Sequence, residues 1–155
     1  MKQRIMTYIN KLEAYKTAIK NLHWSSSNMS EHKLCDDIAS SLSDYQDELA
    51  ECVQGIYGKI KLNELRPRKY KITNSKKMLN DLLFDTKMFL GSTRSKDMVG
   101  VKSIVESFIG ELNQFSYLMD FCLKEDIKRR VKQNLVNESL FRESVREAIK
   151  NVLNK

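Results

Sequence analysis

Turn-forming residues are scarce in this sequence, which has one proline and five glycines among its 155 residues. A many-stranded sheet needs frequent turns, and glycine and proline supply much of their backbone geometry. The scarcity therefore argues against such a sheet and favours long helices. The length is sufficient for one domain with its own hydrophobic core.

Long apolar runs are also missing. No stretch approaches the roughly 18 consecutive apolar residues of a transmembrane helix, so we expect no membrane association. The charged start, MKQRIMTYINKLEAYK, lacks the apolar segment of a signal peptide. Cysteine is limited to three residues without a CxxC motif, which predicts reduced thiols and a cytoplasmic location. These cysteines are Cys35, Cys52 and Cys122.

The formal net charge is +7, and a basic surface attracts anions such as nucleic acid. Two clusters contribute most visibly: Lys59, Lys61, Arg66, Arg68, Lys69 and Lys71 in the first, and Lys128, Arg129, Arg130 and Lys132 in the second. Such clusters are more often solvated faces of a protein than binding sites. DNA binding is therefore a minor hypothesis.

Apolar residues recur every three or four positions, the period of a helix that buries one face. This pattern predicts helices over 3–24, 31–57, 75–90 and 97–123, followed by a last helical region. The predicted boundary residues are Ser30 and Gly58 for the second helix, Asn74 or Ser75 and Gly91 for the third, and Asn137 for a break in the last region.

These helices predict an all-α fold. The long connection between the second and third helices, residues 59–73, favours a ferritin-like four-helix bundle with one crossover. We expect this bundle to span 1–124. Residues 125–155 form an extra helical extension, expected to pack on the same domain or on a partner subunit. Its apolar stripe is Leu140, Phe141, Val145, Ala148, Ile149 and Val152.

The segment 23–51 contains both histidines and the only tryptophan of the protein, Trp24. His32 and Asp36 are four residues apart, as are Asp47 and Glu51. Counting about 100° per residue from His32, these four side chains fall within about 100° of one another. The apolar residues of the same helix fall elsewhere, at roughly 200–280°. We call the four-residue polar face the polar seam.

Imidazole and carboxylate together suit iron, manganese or zinc, but one chain cannot bring both pairs to one ion. Asp36 and Asp47 are eleven residues apart, about 16 Å along a helix. Two antiparallel copies would bring His32 and Asp36 of one chain to the other chain's Asp47 and Glu51. Small residues at the midpoint, Ser40 and Ser43, would allow close approach, and His23 could close the site. Alternatively, each polar pair is an ordinary solvated helix face.

One motif reads His23-Trp24, then His32 and Asp36 with three residues between them, then a gap of ten residues, then Asp47 and Glu51 with three residues between them. This motif resembles the ferroxidase signature of the Dps mini-ferritins (DNA-binding proteins from starved cells). The resemblance implies that His23, His32 and Asp36 come from one subunit and Asp47 and Glu51 from its partner. These residues would bind Fe(II) and pass its electrons to hydrogen peroxide or oxygen, for detoxification and iron storage.

The resemblance also implies a homodimer through the second helix, a twelve-subunit cage, and Trp24 near the metals. Trp24 could equally be a core anchor. The chain departs from the family pattern in a shorter loop before His32 and in the extension after residue 124. An alternative to the ferroxidase is a non-enzymatic helical interaction protein that retains the dimer seam with an empty or structural metal site.

Overall fold

The computed structural model describes residues 1–66, 69–93 and 98–153, and of 147–153 it describes the backbone alone. Four α-helices and one short 3₁₀ turn make up the regular structure. They are α1 (Lys2–Ser25), α2 (Met29–Tyr57), the 3₁₀ turn (Leu62–Glu64), α3 (Ser75–Ser92) and α4 (Val99–Leu153). The described ranges contain no strand, so the all-α prediction is confirmed.

The first two helices have clear boundary signals. α1 matches its predicted range to within one residue at each end. α2 begins earlier than predicted, because Asn28 rather than Ser30 is its N-cap. The Asn28 side chain accepts hydrogen bonds from the backbone N–H groups of Ser30 at 2.9 Å and Glu31 at 3.3 Å. Gly58 ends α2 as predicted, with a positive φ of 78° that glycine adopts without strain.

The last two helices differ more from the prediction. Asn74 caps α3 as expected, accepting from the Lys77 N–H at 2.8 Å, but α3 passes Gly91 and ends at Ser92. The predicted break near Asn137 is wrong, since α4 continues through it. Side-chain pairs four residues apart lie on either side of that point: Gln133 donates to Asn137, and Arg142 donates to Glu138. The predicted start of the fourth helix at 97 lies outside the described residues.

The chain divides into two compact units, Met1–Asp120 and Phe121–Lys155. In the first unit α1 packs against both α2 and α3. Tyr8 stacks on Phe89 with the ring centroids 4.1 Å apart, and Tyr45 stacks on Phe108 with the ring centroids 3.8 Å apart. The Tyr8 hydroxyl donates to Thr86 at 2.8 Å and accepts from the Tyr45 hydroxyl. This aromatic cluster joins all four helices of the unit.

Pairwise contacts give the helix directions. His23 near the end of α1 meets His32 near the start of α2, so these two helices are antiparallel. α1 is also antiparallel to α3, because Tyr8 contacts Phe89 and Tyr15 contacts Asp85. α2 and α3 therefore run in the same direction.

The starts of α2 and α3 are joined directly, since the Ser75 hydroxyl donates to the Glu31 carboxylate. Their connection runs alongside α1. The Lys2 ammonium pairs with the Glu64 carboxylate at 3.1 Å, and the Asn10 amide donates to the Glu64 carbonyl at 2.9 Å. Further along the connection, the ring centroid of Tyr70 lies 4.8 Å from that of Tyr15. The connection thus follows α1 from near its start to beyond its middle.

Most predicted core positions of the first unit are buried. Several are half-buried, and two are exposed: Met88 of α3 at 62% and Leu118 of α4 at 45%. Thr86, a polar residue that the apolar pattern omits, is fully buried in the α3 core face. Its hydroxyl donates to the Leu82 carbonyl at 2.7 Å and accepts from Tyr8, which satisfies it without solvent.

The second unit is helical through residue 153. From Ile127 to Val145 its apolar side chains are exposed to between 41% and 68%. They are Ile127, Val131, Leu135, Val136, Leu140, Phe141 and Val145. The side chains of Ala148, Ile149 and Val152, which complete the predicted stripe, lie outside the described residues. The packing partner of this stripe stays a prediction. Across the described ranges, no helix combines the length and apolar character needed to cross a membrane.

The raised pKa values of four tyrosines predict that the protein loses stability in alkali. Desolvation raises the pKa of Tyr8, Tyr15, Tyr45 and Tyr70 above the ordinary 10.0, and neighbouring carboxylates raise that of Tyr15 and Tyr70 further. A pKa that is higher in the folded than in the unfolded state stabilises the fold fully below pH 10 and progressively less above it. Tyrosinate absorbance followed together with circular dichroism should show these four rings ionising only as the helices melt.

The matched control for this titration is Tyr117→Phe, because Tyr117 is exposed. Above pH 10, we expect the free energy of unfolding of Tyr45→Phe to fall less steeply with pH than that of the wild type. The free energy of unfolding of Tyr117→Phe should fall as steeply as that of the wild type. Ionisation of all six tyrosines near pH 10 with the helices intact would contradict the assignment.

Candidate metal centre at the turn between α1 and α2

The turn that joins α1 to α2 takes only three residues, 26–28, and hydrogen bonds fix its shape. The Ser26 hydroxyl donates to the Glu31 carboxylate at 2.9 Å and also lies 3.2 Å from the Asn28 carbonyl. Glu31 additionally accepts from the Ser75 hydroxyl. The turn, the start of α2 and the start of α3 are therefore held together by one carboxylate.

The short turn brings the two histidines of the protein into contact. The His23 and His32 rings stack with their centroids 3.8 Å apart and their planes at 29°. His23 Nδ1 lies 2.9 Å from the His32 carbonyl oxygen, and His32 Nδ1 lies 2.8 Å from the His23 carbonyl oxygen. Each imidazole is thus anchored to the backbone of the residue that carries the other.

These two hydrogen bonds determine the tautomer of both rings. A carbonyl oxygen can only accept, so each Nδ1 must carry the proton and donate it. In the neutral ring the lone pair is then left on Nε2, the atom that can bind a metal ion. Metal-binding histidines are commonly held in this way by a hydrogen bond from the other ring nitrogen to a backbone carbonyl. Both rings are half-buried, which further restricts their rotation.

Carboxylates extend the site along α2. Asp36 lies one turn after His32 on the same helix face, because residues four apart are neighbours on a helix surface. Asp36 is exposed, and its side chain forms no hydrogen bond or ion pair within the described part of the chain. The structure therefore brings His23 and His32 into contact, with Asp36 one helical turn beyond His32.

Asp47 and Glu51 form the other half and are also exposed. They lie in the same unbroken helix, about 16 Å from the first half by its rise per residue. Among the described residues, no group of three or more His, Cys, Asp or Glu side chains is close enough to hold a metal ion. Of the five predicted ligands, the structure thus brings only His23 and His32 into direct contact.

Trp24 follows His23 directly and is 72% exposed. The alternative that it anchors the core is therefore wrong for this chain. The reason is its position on α1, where Leu22 is half-buried and the buried face ends at Ile19. Met29, across the turn, is 65% exposed. Two large apolar side chains accordingly lie open to solvent beside the histidines.

In the described part of the first unit, no carboxylate or imidazole is buried. Its buried polar side chains are Asn28, Gln46, Ser75, Thr86 and Thr93, none of them a carboxylate or an imidazole. The centre of the unit is occupied by stacked aromatic rings instead. The candidate ligands therefore lie on the surface of the bundle, along α2 and the end of α1.

Two features of this site were not predicted from the sequence. The ring-to-backbone hydrogen bonds between His23 and His32 have no signature in residue spacing, because they depend on how the turn folds. Nor does the sequence predict that Glu31 accepts hydrogen bonds from both Ser26 and Ser75. The Ser and Glu residues at the start of α2 were the available signal, but many helix starts share that composition.

Comparison with known proteins identifies a family without identifying an activity. No curated protein and no solved structure matches the chain. One family model, described as a family of unknown function (DUF5856), matches residues 23–119. The match begins at His23 and contains all five predicted ligands, together with α2, α3 and the first part of α4. Because it covers more than half of the sequence, the chain belongs to the DUF5856 family.

Proposed function

We propose that this protein is a Dps-like ferroxidase that oxidises Fe(II) at sites shared between two chains. The observation that carries the proposal is the stacked histidine pair, in which both Nδ1 atoms donate to backbone carbonyls and leave both Nε2 atoms available. An imidazole fixed in this tautomer has the state needed for metal binding before any metal arrives. The neighbouring carboxylate Asp36 supplies a hard oxygen ligand suited to iron.

The separation of the two ligand groups supports a homodimer formed through α2. In an antiparallel pair of α2 helices, His23, His32 and Asp36 of one chain would face Asp47 and Glu51 of the other, and the two-fold axis would generate two equal sites. The side chains of Ser40 and Ser43 at the midpoint are small enough for close approach. A second copy would also cover Trp24 and Met29, whose exposure in one chain is large for apolar residues.

The helix directions support a ferritin-like fold for the first unit. α2 and α3 run in the same direction, and the connection between them follows α1. A four-helix bundle with a crossover between its second and third helices has this arrangement. Assembly of such dimers into a cage of twelve is a further implication of the Dps resemblance, as is the storage of ferric iron.

In this proposal iron is the substrate. Two Fe(II) ions transfer one electron each to hydrogen peroxide, the O–O bond breaks, two protons are taken up, and two water molecules and two Fe(III) ions result. Oxygen would be the alternative oxidant. The carboxylates favour the more highly charged Fe(III), because hard anionic oxygen ligands stabilise higher positive charge. The same ligands could hold zinc or manganese, which would compete with iron.

The test adds Fe(II) and hydrogen peroxide to the purified protein and follows ferric absorbance over time. We expect oxidation well above the rate in buffer, and a loss of at least about tenfold in His32→Ala, as is typical when a ligand or its support is removed. Glu106→Ala, an exposed carboxylate on α4 outside the site, is the matched control. Wild-type protein that oxidises Fe(II) no faster than buffer would refute the proposal.

A second candidate is a helical interaction protein that retains the dimer seam without catalysis. The exposed apolar residues of the second unit favour it, since such surfaces mark contacts with other molecules. Metal analysis of the purified protein distinguishes the two. Absence of iron, zinc and manganese, with thermal stability unchanged by a chelator, would support the interaction protein. Cytoplasmic location and DNA binding stay predictions, and Arg68 of the first basic cluster lies outside the described residues.

A further inference from the structure

The described part of the second unit carries an apolar stripe with a basic border. Ile127, Val131, Leu135, Phe141 and Val145 fall within about 120° of one another around α4, and all are exposed. Lys124, Lys128, Lys132, Arg142 and Arg146 fall within about 80° along one side of that stripe. Lys124, Lys132 and Arg146 form no ion pair within the described ranges. We call this surface the basic-apolar face.

The first unit carries a groove of opposite charge between α2 and α4, with a volume of about 400 Å³. Four carboxylates border it: Asp37, Asp44 and Glu48 from α2, and Glu111 from α4. The stacked rings of Tyr45 and Phe108 form its floor, and small serine side chains leave it open. In the described part of the protein none of the four carboxylates forms an ion pair. We call this surface the acidic groove.

The two surfaces are complementary in charge and in apolar character. A helix seated in the acidic groove would place its apolar stripe near the aromatic floor and its basic border against the carboxylates. Oppositely charged surfaces of this kind select partners and orient their encounter. We infer that the basic-apolar face of one copy binds the acidic groove of a second copy, an interface that borders the polar seam along α2, where Ser40 belongs to both.

Two observations favour a second copy over other partners. A nucleic acid would engage the lysines and arginines but leave the apolar stripe exposed. A lipid surface would bury that stripe, yet Glu138 lies within it at about 20° from Ile127. The Glu138 carboxylate pairs with Arg142 at 2.7 Å, a pair that a polar protein groove accommodates better than a hydrocarbon layer. Glu111 accepts a hydrogen bond from Ser41, but within the described residues none of the four carboxylates forms an ion pair, and the chain itself provides a cationic surface to match them.

The test measures self-association of the full-length protein by analytical ultracentrifugation at low and high salt. We expect species larger than a dimer at low salt, which dissociate as salt rises because screening weakens charge pairs. Lys132→Glu and Glu48→Lys should each weaken this association about tenfold. The double variant Lys132→Glu/Glu48→Lys should restore it, because the charges are then exchanged rather than removed.

Control variants carry the same charge changes elsewhere. Arg129→Glu lies opposite the stripe on α4, and Glu106→Lys lies outside the groove; both should associate like the wild type. If Lys132→Glu loses the species larger than a dimer but keeps the dimer, the dimer does not depend on the basic-apolar face. The inference is overturned if the wild type never exceeds a dimer, or if the exchanged double variant is as weak as the single ones. Binding of anionic vesicles or nucleic acid without self-association would also overturn it.

Discussion

Mixing two inactive variants should restore Fe(II) oxidation. His32→Ala and Asp47→Ala should each lose nearly all activity, because each variant lacks a ligand in every site. In a mixed dimer, one site combines the intact His32 of the Asp47→Ala chain with the intact Asp47 of the His32→Ala chain. The other site lacks both ligands. Random reassociation in equal amounts makes half the dimers mixed, so about a quarter of the wild-type activity should return.

The experiment requires dissociation and reassociation, and each variant treated alone is its control. A second control mixes His32→Ala with Asp36→Ala, two ligands assigned to the same half-site. Every site in that mixed dimer lacks one of the two, so no activity should return. Recovery in this second mixture, or none in the first, would contradict the assignment of ligands to different chains, even if the protein oxidises iron.

Leu42→Ala should destabilise the protein by about 2–5 kcal/mol, the range for removing a buried leucine side chain. Leu42 is fully buried in the face of α2 that packs into the core. The substitution removes apolar contacts and leaves a cavity that the surrounding helices fill only in part. Chemical denaturation followed by circular dichroism measures the change in the free energy of unfolding.

Leu62→Ala is the matched control, because Leu62 in the 3₁₀ turn is 88% exposed. Its effect should stay within about 0.5 kcal/mol, as for most surface substitutions. If Leu42→Ala proved as mild as Leu62→Ala, the core face of α2 would be wrongly assigned. The polar seam, which is placed relative to that face, would then also need revision.

The helices could largely be predicted because their apolar period is regular and long. α1 follows this pattern over its whole length, and Gly58 and Asn74 carry familiar boundary chemistry. The predicted start of α2 was wrong because two residues could serve as its N-cap. Ser30 and Asn28 are both good N-caps, and only the path of the turn decides between them. The sequence near Asn137 resembles a helix start, but α4 continues through it, with Gln133 donating to the Asn137 side chain.

The ligand residues could be proposed from spacing along α2, since a helix fixes the separation of side chains within it. The contact of His32 with His23 of α1 could not, because no spacing rule predicts how a three-residue turn positions His23. The structure shows that this short turn brings the two imidazoles together. Thr86 illustrates the same limit in the core, where a threonine is buried because Tyr8 and the Leu82 carbonyl satisfy its hydroxyl.

In the proposed metal site, the mutual anchoring of the two histidine rings would govern how bound ions exchange. Neither ring can rotate away without losing a bond to the opposite helix, so both rings would keep their orientation while the α1–α2 hairpin stays closed. Release of a tightly held ion would then depend on fraying of the hairpin end rather than on independent motion of one side chain. The rate of exchange would be set by the backbone, at a point where only three residues join the helices.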